Sequence, residues 1–167
     1  AVKNGLPTIQ DYFNNQVSAK IVKKYGPAKI ITATNVFAHI NNVSDLMRNI
    51  KTLMSSDSIF VSESQYLMDI FEKSEFDTVY HEHLRFYSLK PLEYLFKKFG
   101  MTLIDARRIS AAGGSIRVFA MKGKRPQSSR VKELIAAEEK AGIYDEATWK
   151  KFSQKALAAK NALLEIL

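Results

Sequence analysis

The run Ala28-Lys29-Ile30-Ile31-Thr32-Ala33 constrains the fold more than any other stretch. It is apolar and β-branched without polar alternation, the pattern of a parallel strand covered on both faces. Helical patterns flank it. Leu6-Pro7-Thr8-Ile9-Gln10 reads as a short strand, followed by Asp11-Tyr12-Phe13. Asn15 or Ser18 then opens a helix through Val17, Ile21 and Val22 that stops at Gly26-Pro27. Beyond Thr34-Asn35-Val36-Phe37-Ala38-His39, a helix from about Ser44 sets Leu46, Ile50 and Leu53 on one face.

Ser58 to Glu63 reads as the next strand and Gln65 to Glu72 as a short helix. Ser88 is placed to cap a helix from Leu89 to Phe99, with Gly100 beyond its end. Met101–Ala106 and Ser115–Met121, joined through Ala111-Ala112-Gly113-Gly114, suit an antiparallel pair at the end of a sheet. A polar linker from Gly123 to Arg130 precedes helices over Val131–Ala141 and Asp145–Leu167, the latter with Trp149, Phe152, Ala156 and Leu163 on one side. The expected architecture is an α/β sheet over 1–122 with a helical linker or appendage over 123–167. Ligands of such sheets bind beyond the C-terminal strand ends, where Asp11, Asn35, Glu63 and Tyr80 collect.

Composition narrows the function classes. The chain has 167 residues, no cysteine and a net charge of +8. No disulfide framework or thiolate metal site can form within it. No run approaches eighteen apolar residues and no signal-peptide pattern opens the chain, so the expectation is a cytoplasmic protein with no membrane partner. The clusters Lys20, Lys23, Lys24 and Lys122, Lys124, Arg125 are short and lack interleaved aromatics, which argues against nucleic acid. The start, Ala1 to Gly5, reads as the tail of a helix, and the end stops inside an apolar-periodic pattern. Both suggest a piece of a longer protein.

Two of the three histidines fall in Tyr80-His81-Glu82-His83, and the third is His39. A phenol, a carboxylate and imidazoles so close together suit proton transfer near neutral pH. The competing reading is a metal site: on a strand, His81 and His83 would share one face, and His39 could complete three ligands. The short segment lacks β-branched alternation, which argues against that reading, and no metal is expected.

These residues carry a resemblance. Thr34-Asn35-Val36-Phe37-Ala38-His39, Tyr80-His81-Glu82-His83-Leu84-Arg85-Phe86-Tyr87-Ser88 and Gly113-Gly114-Ser115-Ile116-Arg117-Val118 resemble the nucleotide-sugar C-methyltransferases, at similar spacing along the whole chain. The resemblance implies the later half of a Rossmann-like S-adenosylmethionine methyltransferase sheet, ending in an antiparallel pair. It implies a nucleotide-linked keto-deoxysugar as small-molecule acceptor. Zinc belongs only to an upstream domain of the family, and the glycine-rich turn for the cofactor is also absent here. The resemblance makes His83 the general base, Glu82 and Tyr80 its partners against sugar and oxyanion, and His39 a group approaching from the other side. It places Asp11, Tyr12, Phe13 and Asn35 on the cofactor; Glu63, Tyr66, Arg85, Ser115 and Arg117 are candidates for the acceptor from their own chemistry, an arginine fitting a diphosphate by bidentate hydrogen bonds. A non-catalytic binding module with the same sheet is the alternative.

Overall fold

The computed structural model describes residues 1–167. Its strands are β1 (Ala28–Thr34), β2 (Met54–Gln65), β3 (Met101–Ile109) and β4 (Ser115–Lys122), in the spatial order β1-β2-β4-β3. β1 and β2 are parallel; β4 runs antiparallel to both β2 and β3. The helices are α1 (Asn15–Tyr25), α2 (Val43–Leu53), α3 (Leu67–Lys73), α4 (Leu89–Lys98), α5 (Ser129–Lys140) and α6 (Glu146–Ile166).

One sheet face makes the core. Ile31, Phe60, Ala120 and Leu103 form one row across the four strands, and Ala33, Ser62, Val118 and Ala106 form the next. Onto these rows α2 lays Leu46, Met47 and Ile50, α4 lays Leu89, Leu92 and Phe96, and α5 lays Val131. Phe60 sits at the centre, 5.7 Å from Phe37 and 6.1 Å from Phe96 between ring centroids. Each fully buried phenylalanine contributes about 2–3 kcal/mol. α1 packs on α2 through Val17.

The opposite face, with Ile30, Thr32, Arg117 and Arg107, is open. β1 is therefore not covered on both sides: it is an edge strand, and Ile30 is 66% exposed. Its apolar sequence exceeds what the packing here uses.

Other expectations need correction. Leu6–Gln10 forms no strand; it is exposed and pairs with nothing in the sheet, so Asp11 follows no strand end. The expected N-terminal helix tail is a single 3-10 turn, Val2–Asn4, closed by Gly5 in the left-handed region. Ser88 stands at the N-cap of α4, but its side chain caps nothing. A carboxylate from α5 takes that role, as described below. The stripe expected along α6 is buried nowhere and only partly covered over its first half. Trp149 packs 5.9 Å from Phe71 and 5.6 Å from Phe152, whereas Leu157, Leu163 and Leu164 are exposed. No helix is long and apolar enough to cross a membrane.

Candidate active site at the sheet rim

β1 ends at Thr34, and the next residue turns the chain. Asn35 takes φ 54°, and its N–H donates to the Glu63 carbonyl on β2 at 2.9 Å. Asparagine tolerates this left-handed conformation better than most residues. The turn leads into a short 3-10 helix, Phe37–His39, whose first residue is buried and whose last, His39, faces outward. A second loop, between α3 and α4, crosses this one. Leu84 N–H donates to the Ala38 carbonyl at 2.9 Å, and His39 Nδ1 lies 3.0 Å from the Glu82 carbonyl. The His39 and His83 ring centroids come within 5.0 Å. Two loops far apart in sequence thus bring both histidines to the rim beyond β1 and β2.

The hydrogen bonds of His83 fix its tautomer. Nδ1 is 2.9 Å from the Thr78 carbonyl, which can only accept, so Nδ1 carries the proton of the neutral ring. Nε2 is then the basic nitrogen, and it faces the Tyr80 hydroxyl at 3.0 Å. The two rings lie 4.2 Å apart, and Phe86 stands edge-on to His83 at 5.8 Å. The same logic assigns the His39 proton to Nδ1, against the Glu82 carbonyl, and leaves its Nε2 free. His83 is half-buried, at the surface rather than in the apolar interior. Thr78 carries no signal in the sequence, because any residue supplies a carbonyl.

His81 does not join the pair. Its side chain is 89% exposed, and its nearest charged partner is the Glu82 carboxylate at 3.9 Å. The segment is a turn, so His81 and His83 share no strand face, and no three histidine, aspartate or glutamate side chains converge to hold a metal ion. Glu82 is exposed beside His39, His81 and Leu84, which together line a small hollow at the rim.

The five residues expected on the acceptor scatter. Glu63 is buried and paired with Arg117, which approaches at 2.8 Å through Nη2 and 2.9 Å through Nε. Arg85 is spent on the carbonyls of Ile40 and Asn41, where it ties the two loops together. Ser115 donates to the Ala111 carbonyl at 2.9 Å. Tyr66 is fully buried and does not reach the rim. Its hydroxyl donates to Glu138 Oε1 at 2.7 Å, and burial with that carboxylate pushes the phenol's pKa up.

Glu138 is a residue that sequence reading missed, although a signal exists. It occupies the fourth place in the stripe Val131, Leu134, Ile135, Glu138, where an apolar residue belongs. It is fully buried and also accepts the Leu89 N–H at 2.8 Å and the Tyr144 hydroxyl. A second anchor lies behind the glycine pair. Asp69, nearly buried on α3, receives Nε of Arg108 at 3.0 Å and Nη2 at 2.8 Å, with Lys73 also at 2.8 Å. Burial pushes Asp69 up, but these cations outweigh it and hold its pKa below the ordinary carboxylate value.

Toward the N-terminal side, Tyr12 and Phe13 border a cleft of ≈1210 Å³ lined also by Asn14, Ala33, Val36 and Asn42. Tyr12 is 89% exposed, and Asp11 accepts the Tyr12 N–H at 2.7 Å. Of the four residues expected on the cofactor, Tyr12 and Phe13 line this cleft, and Asp11 and Asn35 do not.

The four-stranded sheet of parallel and antiparallel pairs, flanked by helices, has a Rossmann-like α/β architecture. Residues 4–106 match the family model of a methyltransferase domain, and residues 110–167 match that of a C-methyltransferase C-terminal domain. The chain belongs to the methyltransferase family. It is 30% identical over 151 residues to the C-methyltransferase NovU of Streptomyces niveus, a match covering 89% of this chain and 36% of that protein. The chain thus spans about a third of the length of that curated relative. Its fold resembles that of a SAM-dependent methyltransferase from Anabaena variabilis at a TM-score of 0.50 and 13% identity, over 69% of this chain and 57% of the other.

Proposed function

We propose that this chain carries the proton-transfer half of a C-methylation site, in which S-adenosylmethionine methylates a carbon made acidic by a neighbouring ketone. The support is the pairing of Tyr80 with an oriented His83 at 3.0 Å. Carbon methylation needs an enolate, hence a base close to neutral and a donor for the developing oxyanion. His83 has its acidic N–H tied to Thr78, which leaves Nε2 to take the proton. Tyr80 caps that nitrogen in the free protein. When the acceptor enters, the hydroxyl turns from Nε2 to the ketone oxygen, and the C–H proton passes to Nε2. His39, 5.0 Å away, holds a sugar hydroxyl through its free Nε2, and Glu82 orients the same ring of the acceptor.

Bound S-adenosylmethionine supplies the electrophilic methyl group. Asp11, Tyr12, Phe13 and Asn35 are the residues of this chain that would hold it. The acceptor of this reading is a nucleotide-linked keto-deoxysugar. Exchange of the acceptor's α-hydrogen in deuterated buffer tests the base directly, in the full-length enzyme and without methyl transfer. Exchange by the unaltered enzyme and none by His83→Ala supports the reading; equal exchange by both overturns it.

A further inference from the structure

We propose that Glu138, on a helix outside the sheet, is a positioning residue that sets the placement of the Tyr80–His83 pair. The inference rests on the reading of that pair as the proton-transfer site, but its geometry stands separately. The loop bearing the pair leaves α3 and enters α4. Glu138 reaches into the junction between those helices and holds both. Its Oε1 accepts the Tyr66 hydroxyl from the residue that opens α3, at 2.7 Å, and the first N–H of α4, from Leu89, at 2.8 Å. Its second oxygen accepts Tyr144.

Beside those two grips the ends of the loop are tied to each other. Leu67 N–H donates to the Tyr87 carbonyl at 2.9 Å, and the Tyr87 hydroxyl donates to the Phe37 carbonyl at 3.2 Å. Tyr66 and Tyr87 form an isolated parallel bridge. Only five residues separate Leu89 from His83, so a shift at the start of α4 is passed along a short, strapped segment.

The chemistry of the junction explains why a carboxyl side chain is kept there. The N-terminus of α4 presents N–H groups that have no partner within the helix and a positive dipole end, and Ser88 does not cap it. A carboxylate satisfies that end and two phenols at once, with no lysine or arginine bonded to it. A buried network with every member satisfied admits one geometry, whereas an apolar contact at the same place would slide. The helical region after the sheet is thereby made part of the frame of the rim.

Histidine side-chain nitrogen NMR on this chain tests the assignment, with exposed His81 as internal control. In Glu138→Ala, the His83 ring should lose its uniform Nδ1–H tautomer and move toward the signals of His81, while His81 stays unchanged. Leu89 amide exchange should accelerate at least ~10-fold. Glu138→Gln, which keeps an oxygen for the Leu89 N–H, should restore the His83 signals. If Glu138→Ala does not fold, Tyr66→Phe decides: one grip is lost and the His83 signals should shift in the same direction, by less. A folded Glu138→Ala, or failing that Tyr66→Phe, whose His83 signals match the parent overturns the proposal. The readout is the state of a ring and not turnover, so loss of the catalytic reading would leave this result intact, and the reverse holds too.

Discussion

Tyr80 donates its hydroxyl to His83 Nε2 at 3.0 Å while the Thr78 carbonyl holds the other ring nitrogen at 2.9 Å. The basic nitrogen is therefore exposed only through a removable phenol. In the full-length enzyme, His83→Ala should lower kcat by about 10²–10⁴, the range of a positioned proton acceptor. On the proposed role, Tyr80→Phe should cost less and should lower kcat more than it raises KM, because an oxyanion contact would form only in the transition state. Steady-state kinetics with both variants gives the comparison. An unchanged kcat in His83→Ala would remove it from catalysis.

Much of this rim is legible in the sequence because its chemistry is local. Tyr80 and His83 are three residues apart, and the turn that joins them is short enough to be read as a cluster. The approach of His39 to His83 follows from the family resemblance, and the loop crossing that achieves it shows only in the fold. The scattered acceptor residues are another matter. Tyr66 and Arg117 look like free polar groups until their partners, Glu138 and Glu63, arrive from 72 and 54 positions away. No periodicity encodes such pairings. β1 misleads for a related reason: its composition reports the burial it is suited to, while its position at the sheet edge decides the burial it has.

The glycine pair has a steric reason that can be tested. Gly114 has φ +147°, and a Cβ there would lie 2.2 Å from the Asp69 carboxyl carbon. Gly114→Ala must displace the carboxylate that holds Arg108 and Lys73, so it should destabilise the fold by at least ~2 kcal/mol. Urea unfolding measures this. Gly123→Ala, where a Cβ meets nothing within 4 Å, serves as the reference for a glycine substitution without a clash.

Asn35 separates a backbone role from a side-chain role. Its φ of 54° favours glycine and asparagine, and it is exposed. Asn35→Gly should leave the melting temperature nearly unchanged, and Asn35→Val should cost about 1–2 kcal/mol. If the side chain also holds S-adenosylmethionine, Asn35→Gly weakens cofactor binding in the full-length enzyme while remaining stable. Calorimetric titration of that variant gives the answer; parent-like affinity would confine Asn35 to the turn.

Acid stability should depend on Asp105. The Arg130 guanidinium pulls its carboxyl down from 3.8 to about 2 against the effect of burial, with Ser128 and the Ala106 N–H adding to the pull. A depressed folded-state pKa gives stability that is complete above the unfolded value and lost as pH falls through the folded one. The melting temperature of Asp105→Asn should therefore lie below the parent's by a constant amount above about pH 4, and the gap should close toward pH 2. A gap that persists unchanged at pH 2 would show that the effect does not come from the charge of the carboxylate.

Arg117 and Glu63 lie opposite each other on β4 and β2, with the carboxylate 9% exposed and the guanidinium 44% exposed. The half-exposed arginine limits what the pair itself contributes, but removing it leaves a nearly buried charge without a partner. Arg117→Met should destabilise by about 2 kcal/mol, and adding Glu63→Gln should recover most of that loss, since an amide tolerates burial better than an unpaired carboxylate. The double-mutant cycle in urea measures the coupling. If the arginine instead serves an anionic acceptor, the double variant regains stability but not affinity for the nucleotide sugar. Recovery of both would give the pair a purely structural role beneath the rim.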